Sequence, residues 1–202
     1  MPPPLLDGVS YSRSVTDFRG NLLRLTLSTD DKYRVQTSLR QISPRLVDAT
    51  LCYEDRHFWQ HPGVNPVAAL RSAWRFCLTR TPRGGASTIS MQLARLTGHF
   101  NTRTIPGKIR QMIRALEIER HYGKGQILEA YFNLAPYGRN IEGAGAASLL
   151  YFGKSASQLT LCEAIALSVI PQSPRRRAPK LDEANPALID AENRLLDRLK
   201  PD

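Results

Sequence analysis

Apolar side chains recur at helical spacing through most of the chain beyond residue 43. Apolar residues three and four positions apart line one face of a helix, so this spacing predicts a helical core. Ser43 followed by Pro44 indicates a helix start, because serine caps a first turn and proline tolerates its first position. The predicted helices cover residues 44–53, 66–78, 87–98, 106–122, 126–134, 143–151, 161–170 and 186–199.

The amino-terminal part has a different pattern. A short β-type run from residue 14 meets a turn at residues 19–21, and Leu23, Leu25 and Leu27 then alternate with polar residues. Alternation on either side of a turn predicts a small β hairpin. The predicted fold class is therefore mainly α with a small N-terminal β hairpin. The predicted organisation is a hairpin segment (1–40), a helical domain (41–180) and a C-terminal amphipathic helix (181–202).

The net charge of the chain indicates what kind of partner it binds. The 28 Lys and Arg residues exceed the 18 Asp and Glu residues, which gives a net charge of +10 at pH 7. Such a charge favours an anionic partner: nucleic acid, acidic lipid or a phosphorylated substrate. Nucleic acid is not expected, because no recognition motif and no aromatic–basic strand pattern accompanies the charge.

Cysteine spacing and hydropathy set further bounds. Cys52, Cys77 and Cys162 have no paired spacing and are predicted to be buried free thiols. No apolar run reaches the roughly 18 residues that cross a bilayer, and the first residues do not resemble a signal peptide. The chain as it stands is therefore expected to be soluble or peripheral, with any membrane anchor outside it.

The first candidate site is a pair of carboxylates, Glu54 and Asp55, followed closely by Phe58, Trp59 and His61. An aromatic wall raises the pKa of a carboxyl by desolvation, which makes Glu54 a candidate general base. A solvated surface turn with an internal ion pair explains the same residues. The local sequence leaves both interpretations open.

The second candidate site is a glycine-rich turn at residues 84–86 that leads into a helix capped by Ser87 or Thr88. A helix N-terminus offers unpaired N–H groups and the positive end of the helix dipole to an anion. Gln92 and Arg95 follow Thr88 by four and seven residues and share its helix face. The turn is a candidate anion site, although an ordinary capped helix explains it equally well.

The helix predicted over 106–122 combines cations with an apolar stripe. The apolar stripe is interpreted as core and comprises Ile109, Met112, Ile113, Leu116 and Ile118. The cations Lys108, Arg110 and Arg114 either hold a pyrophosphate or are solvated. The segment 64–78 fits a helix that dips into a membrane interface nearly as well as a buried helix.

Taken together, these motifs resemble the peptidoglycan glycosyltransferase domain (glycosyltransferase family 51) of class A penicillin-binding proteins, most closely the 1C branch. The likeness covers five motifs in order, at residues 54–63, 84–95, 108–119, 127–143 and 164–174. The resemblance implies a lysozyme-like helical domain that polymerises a lipid-linked disaccharide, lipid II, into glycan strands.

In that family the glutamate that matches Glu54 deprotonates the 4-hydroxyl of the acceptor sugar. The hydroxyl attacks the anomeric carbon of the growing chain and displaces the lipid diphosphate with inversion. The resemblance implies that the positions that shape the site and hold the diphosphate are Asp55, Phe58, His61, Ser87, Thr88, Gln92, Arg95 and Lys108. The implied partners are lipid II, the growing strand and the membrane surface, at the periplasmic face of the bacterial inner membrane, with other cell-wall synthesis enzymes as further candidates.

The sequence departs from the family at Gln111, where a second catalytic glutamate is usual. Glu117 and Glu119 cannot replace it, because six and eight residues rotate them about 120° and 80° off that helix face. A diphosphate leaves as a stabilised anion and needs cations or a metal more than a proton. We therefore expect a working or weakened transferase. Its one candidate cofactor is a divalent cation, Mg²⁺ or Mn²⁺, and no set of residues predicts a metal site.

Two other functions stay open at this point. A muramidase-like hydrolase would share the fold, but it needs a second carboxylate that this sequence does not offer convincingly. A non-catalytic module would bind the lipid-linked precursor or recruit other cell-wall enzymes.

Overall fold

The computed structural model describes residues 3–19, 22–66, 87–98, 104–180 and 183–200. This part of the chain is mainly α-helical, as the sequence predicts. Its helices are Pro44–Glu54 (α1), Ile89–Gly98 (α2), Ile105–His121 (α3), Lys124–Leu134 (α4), Ala144–Phe152 (α5), Leu161–Val169 (α6), Pro174–Arg177 (α7) and Pro186–Leu199 (α8). The helix predicted over 66–78 and Cys77 lie outside the described residues. None of the described helices is long and apolar enough to cross a membrane.

Two small antiparallel hairpins accompany these helices. The predicted one pairs β1 (Ser14–Thr16) with β2 (Leu22–Leu25). The other pairs β3 (Pro136–Gly138) with β4 (Ile141–Glu142) and was not predicted, because strands of two and three residues are too short to show alternation.

The chain divides into two compact units. Unit 1 comprises residues 1–5 and 54–131, and unit 2 comprises residues 6–53 and 132–202. The division falls inside α1 and α4. The boundaries at residues 40 and 180 stay a prediction, as does the likeness to lysozyme. All the candidate site residues belong to unit 1.

Unit 1 is built around α2 and α3, which pack against each other. Residues 89–94 of α2 are all buried. Thr104 caps α3 by accepting the Gly107 N–H at 3.2 Å, and Pro106 occupies the first turn.

The interpretation of the apolar stripe of α3 as core is wrong for most of its residues. Ile118 is buried, whereas Ile109, Ile113 and Leu116 are 52%, 52% and 46% exposed. The buried face of α3 consists of Gly107, Gln111, Ala115 and Ile118. That face begins at Gly107, two residues before Ile109, and two residues correspond to a rotation of about 200° around the helix axis. Small residues and one amide therefore form the buried face, and the apolar row lies opposite.

Unit 2 has its own core, in which α6 packs against α8. The central cluster consists of Ala49, Ile165, Val169, Ala191 and Leu195. The prediction of buried thiols is wrong for Cys162, which is exposed because it precedes the buried face of α6, which begins at Ala164. Cys52 is half-buried, and both are free thiols.

Candidate active site

Glu54 is the last residue of α1, and it meets the second motif through Gln92. The Gln92 Nε2 atom donates a hydrogen bond of 2.8 Å to Glu54 Oε2. Gln92 is buried, so this contact fixes one carboxylate oxygen in a defined direction. The structure thus brings the predicted general base to the helix that follows the glycine-rich turn.

Asp55 points to a different set of partners. Its carboxylate lies 2.9 and 3.0 Å from His61 Nε2 and accepts the Ile89 N–H at 3.0 Å. The His61 Nδ1 atom accepts the Gly63 N–H at 3.1 Å, so the ring proton is on Nε2 and points at Asp55. Asp55 and His61 are both buried. They therefore tie the loop after Glu54 to the start of α2.

Groups of the chain itself accept two of the first N–H groups of α2. The Ile89 N–H is taken by Asp55, and the Met91 N–H is accepted by the Thr88 hydroxyl at 3.1 Å. That hydroxyl in turn donates to the Gly63 carbonyl at 2.5 Å. Thr88 is thus the helix cap, and the anion at this helix terminus is Asp55. The binding of a diphosphate by Thr88 and this helix terminus stays a prediction.

The Gly84 and Gly85 positions lie outside the described residues. Ser87 is half-buried and precedes the cap. Its role in binding substrate stays a prediction.

Two cations, Arg95 and Lys108, lie on α2 and α3, the two helices that pack against each other. Arg95 is exposed and Lys108 is half-buried. Burial and the nearby Arg95 charge lower the pKa of the Lys108 ammonium below its ordinary value. Among the described residues, neither cation forms an ion pair with a carboxylate. A lysine whose charged form is disfavoured by its surroundings is well suited to receive an anion.

Gln111 has both ends of its amide engaged and is 1% exposed. Its Oε1 atom accepts a hydrogen bond from Lys108 Nζ at 2.9 Å, and its Nε2 atom donates to the Met91 carbonyl at 2.5 Å. The predicted catalytic position is therefore a fixed clamp between α2 and Lys108. An amide in this arrangement has no proton to exchange with a substrate.

The two glutamates that follow Gln111 on α3 are also committed elsewhere. Glu117 pairs with Arg114 at 3.0 Å on the surface. Glu119 is 8% exposed and pairs with Lys124 at 2.7 Å. Their placement agrees with the rotation argument from the sequence, which excludes both as substitutes for a second catalytic carboxylate.

Lys124 is the site residue that sequence reasoning missed. Its Nζ atom donates to the His61 carbonyl at 2.7 Å and to Glu119, which also accepts from the Ser90 hydroxyl. The ammonium also lies 4.4 Å from the centre of the Phe58 ring. Lys124 therefore joins the first motif to α2 and α3. A lysine in the first turn of a helix opposes the helix dipole, and that was the available signal.

The aromatic residues of the first motif divide into a buried and an exposed one. Phe58 is fully buried and meets Trp59 edge-on, with ring centres 5.1 Å apart. Trp59 is 57% exposed. Phe58 therefore supports the loop from inside, and Trp59 is the aromatic surface open to a ligand.

The comparison with known proteins gives the class to which this site belongs. Residues 20–200 match the family model described as transglycosylase, and the chain belongs to that family. This match confirms the family and the class of enzyme that the motifs indicate.

The individual relatives agree with this assignment. The chain is 40% identical over 198 residues to penicillin-binding protein 1C of Escherichia coli, covering 98% of this chain and 25% of that protein. It is 39% identical over 144 residues to penicillin-binding protein 1A of the same organism, covering 71% and 17%. The chain thus spans a quarter or less of their length. A crystal structure of penicillin-binding protein 1A from Haemophilus influenzae aligns with 95% of this chain and 18% of its own, at a TM-score of 0.45 and 19% identity, too low to support a structural conclusion.

Proposed function

We propose that this domain polymerises lipid II into glycan strands, with Glu54 as the general base and a lipid diphosphate as the leaving group. The observation that carries the proposal is the arrangement along α2. Gln92 fixes Glu54, and Arg95 follows Gln92 by three residues, about 4.5 Å along the helix axis. Gln92 thus holds the Glu54 carboxylate against α2, while Arg95 on α2 and Lys108 on α3 supply two cations on helices that pack against each other.

The proposed reaction uses the two ends of this arrangement separately. Glu54 takes the proton of the acceptor 4-hydroxyl as its oxygen forms a bond to the anomeric carbon of the donor. The bond from that carbon to the diphosphate oxygen breaks on the opposite face, and the electron pair leaves with the diphosphate. Arg95 and Lys108 stabilise the charge that develops there. Attack opposite the leaving group inverts the anomeric centre.

The alternative function is a hydrolase, in which a bound water replaces the acceptor hydroxyl and cleaves a preformed glycan strand. The glycosidic oxygen of a preformed strand is a poor leaving group and needs a carboxylic acid to protonate it. The position that could supply that acid is Gln111, whose amide is fixed between Lys108 and Met91. The site therefore favours a donor that carries its own stable leaving group.

The relatives are named penicillin-binding proteins. We infer from these names and from the proposed activity that this domain acts on cell-wall precursor at the outer face of a bacterial inner membrane. The exposed row on α3 supports a membrane surface as partner. It comprises Ile105, Ile109, Ile113 and Leu116, with Arg110 and Arg114 beside it. An apolar row next to arginines fits the interface of an anionic bilayer.

Replacing Ile113 with Asp is expected to weaken binding to vesicles of anionic phospholipid about tenfold. An isoleucine side chain that enters the interface contributes roughly 1.5–3 kcal/mol, and an aspartate is also repelled by the lipid charge. Co-sedimentation with vesicles measures the effect. Ile189→Asp is the matched control, because Ile189 is 43% exposed on α8. Equal binding by the two variants would show that the α3 row does not face the lipid.

The proposed function is tested by the products that the chain forms from labelled lipid II. We expect a ladder of glycan strands. Binding of lipid II without any polymer would support the non-catalytic module, and shortening of preformed glycan would support the hydrolase. Gel separation of the labelled products distinguishes the three.

A further inference from the structure

In the part of unit 1 that the structure describes, the divalent cation that diphosphate chemistry suggests has no suitable donor set beside Lys108 and Arg95. Mg²⁺ and Mn²⁺ prefer carboxylate and water oxygens. In unit 1, residues 54–131 contain five acidic residues, Glu54, Asp55, Glu117, Glu119 and Glu129, against twelve Lys and Arg. Among the described residues there is no group of three or more His, Cys, Asp or Glu side chains that could hold a metal ion.

Two of the acidic residues of unit 1 are bound to other groups of the chain. Asp55 binds His61 and the Ile89 N–H, and Glu119 pairs with Lys124. Residues 67–86 and 99–103, which lie outside the described ranges, contain no Asp or Glu in their sequence. Among the described residues, a metal ion beside Lys108 and Arg95 would therefore meet two cations that no carboxylate pairs with.

We propose that this site stabilises the departing diphosphate with Lys108 and Arg95, oriented by the Gln111 amide, and without a divalent cation bound between the protein and the diphosphate. The proposal rests on the proposed function for the identity of the anion. Gln111 is a positioning residue: Oε1 receives the Lys108 ammonium while Nε2 is fastened to the Met91 carbonyl. The amide directs the cation without neutralising it, whereas a carboxylate would form an ion pair with it.

This arrangement explains why an amide fits position 111 of this chain. A glutamate would place a second acceptor oxygen against the Met91 carbonyl, where Nε2 now donates at 2.5 Å. Two acceptors at that distance repel each other. The new carboxylate would either move away from α2 or bind a proton, and its charge would compete with the diphosphate for Lys108. Introducing Glu at 111 is therefore expected to weaken the anion site.

The probe is inorganic pyrophosphate, titrated calorimetrically into the full chain, first with EDTA and then with excess Mg²⁺. We expect binding in EDTA that Mg²⁺ does not tighten. Gln111→Glu and Lys108→Met should each weaken that binding about tenfold. Gln126→Glu is the matched control for the added charge, because Gln126 is exposed in the same unit. Circular dichroism shows whether Gln111→Glu folds. If it does not fold, the pyrophosphate affinity of Lys108→Met still tests the proposal.

Binding that needs Mg²⁺, or that Gln111→Glu strengthens in the presence of Mg²⁺, would overturn the proposal. Polymerisation of lipid II in EDTA is the parallel readout. Strands that form only with Mg²⁺ would refute the metal-free site and leave the proposed function intact. Pyrophosphate binding in EDTA without any polymer would refute the proposed function and leave the anion site intact.

Discussion

Replacing Glu54 with Gln is expected to lower the rate of polymerisation about 10³-fold and to leave the affinity for lipid II close to that of the unaltered chain. General base catalysis of this kind contributes roughly 10²–10⁴-fold. The amide oxygen of the variant can still accept the Gln92 Nε2 hydrogen bond of 2.8 Å, so the geometry of the site is preserved. What the variant loses is the ability to take a proton. Initial rates of strand formation, measured beside equilibrium binding, separate the two quantities.

The matched control is Glu117→Gln, because Glu117 lies in the same unit and pairs with Arg114 on the surface. An exposed pair of this kind contributes about 0–1 kcal/mol, so this variant should polymerise normally. If both variants lost activity equally, or if Glu54→Gln kept more than a tenth of the rate, Glu54 would not be the base.

Replacing Lys124 with Met is expected to lower the free energy of unfolding of unit 1 by about 3 kcal/mol and to reduce activity with it. Removal of one partner of a buried ion pair leaves the other charge uncompensated, which typically costs about 3–5 kcal/mol. The lower end applies because Lys124 is 22% exposed while Glu119 is 8% exposed. The variant also loses the hydrogen bond to the His61 carbonyl and the contact with the Phe58 ring. Urea denaturation measures the change.

The second variant needed here is Lys124→Met combined with Glu119→Gln. Removing both charges should restore much of the stability, because no buried charge is left alone, but it should not restore the kcat, because the His61 carbonyl stays without its donor. Lys180→Met is the surface control, since Lys180 and Glu183 are both largely exposed. An equal loss of stability in Lys124→Met and Lys180→Met would show that Lys124 does not anchor the loop.

Apart from the four-residue α7, which was not predicted, the described helices were predictable because of local signals. Proline at the start of α8 and a threonine cap before α3 and α6 mark boundaries that sequence spacing places within a few residues. The hairpin of β1 and β2 was predictable from the same kind of signal. The hairpin of β3 and β4 was not, because its few residues take their pairing from the fold.

The residues of the candidate site were predictable from the sequence, but the contacts that each residue makes were not. The sequence motifs indicated Glu54 and the start of α2, and the structure joins them through Gln92. The sequence predicted that the start of α2 binds an anionic ligand, whereas Asp55 accepts the Ile89 N–H there. This contact joins residues 34 positions apart along the chain, so local spacing does not show it. Lys124 was missed for the same reason, since its partners lie on two other segments, the loop that holds Phe58 and His61 and the helix α3. Spacing along one helix does not report which groups from other segments it meets.

The apolar row of α3 shows a related limit. Periodicity identifies that α3 has an apolar face, but it does not say whether that face meets the protein or its surroundings. Ala115 and Gln111 are buried while Ile109 and Ile113 are exposed, so the face that packs is chosen by close approach to α2 and not by hydropathy.

The central claim is that a sugar hydroxyl, and not water, attacks the donor carbon under control of Glu54. The measurement that tests it most directly is the number of glycosidic bonds formed for each lipid diphosphate released from lipid II. We predict one bond for each diphosphate in the unaltered chain, and a loss of both products together in Glu54→Gln. Release of diphosphate without an equal number of new bonds, or at an undiminished rate in the variant, would contradict the account.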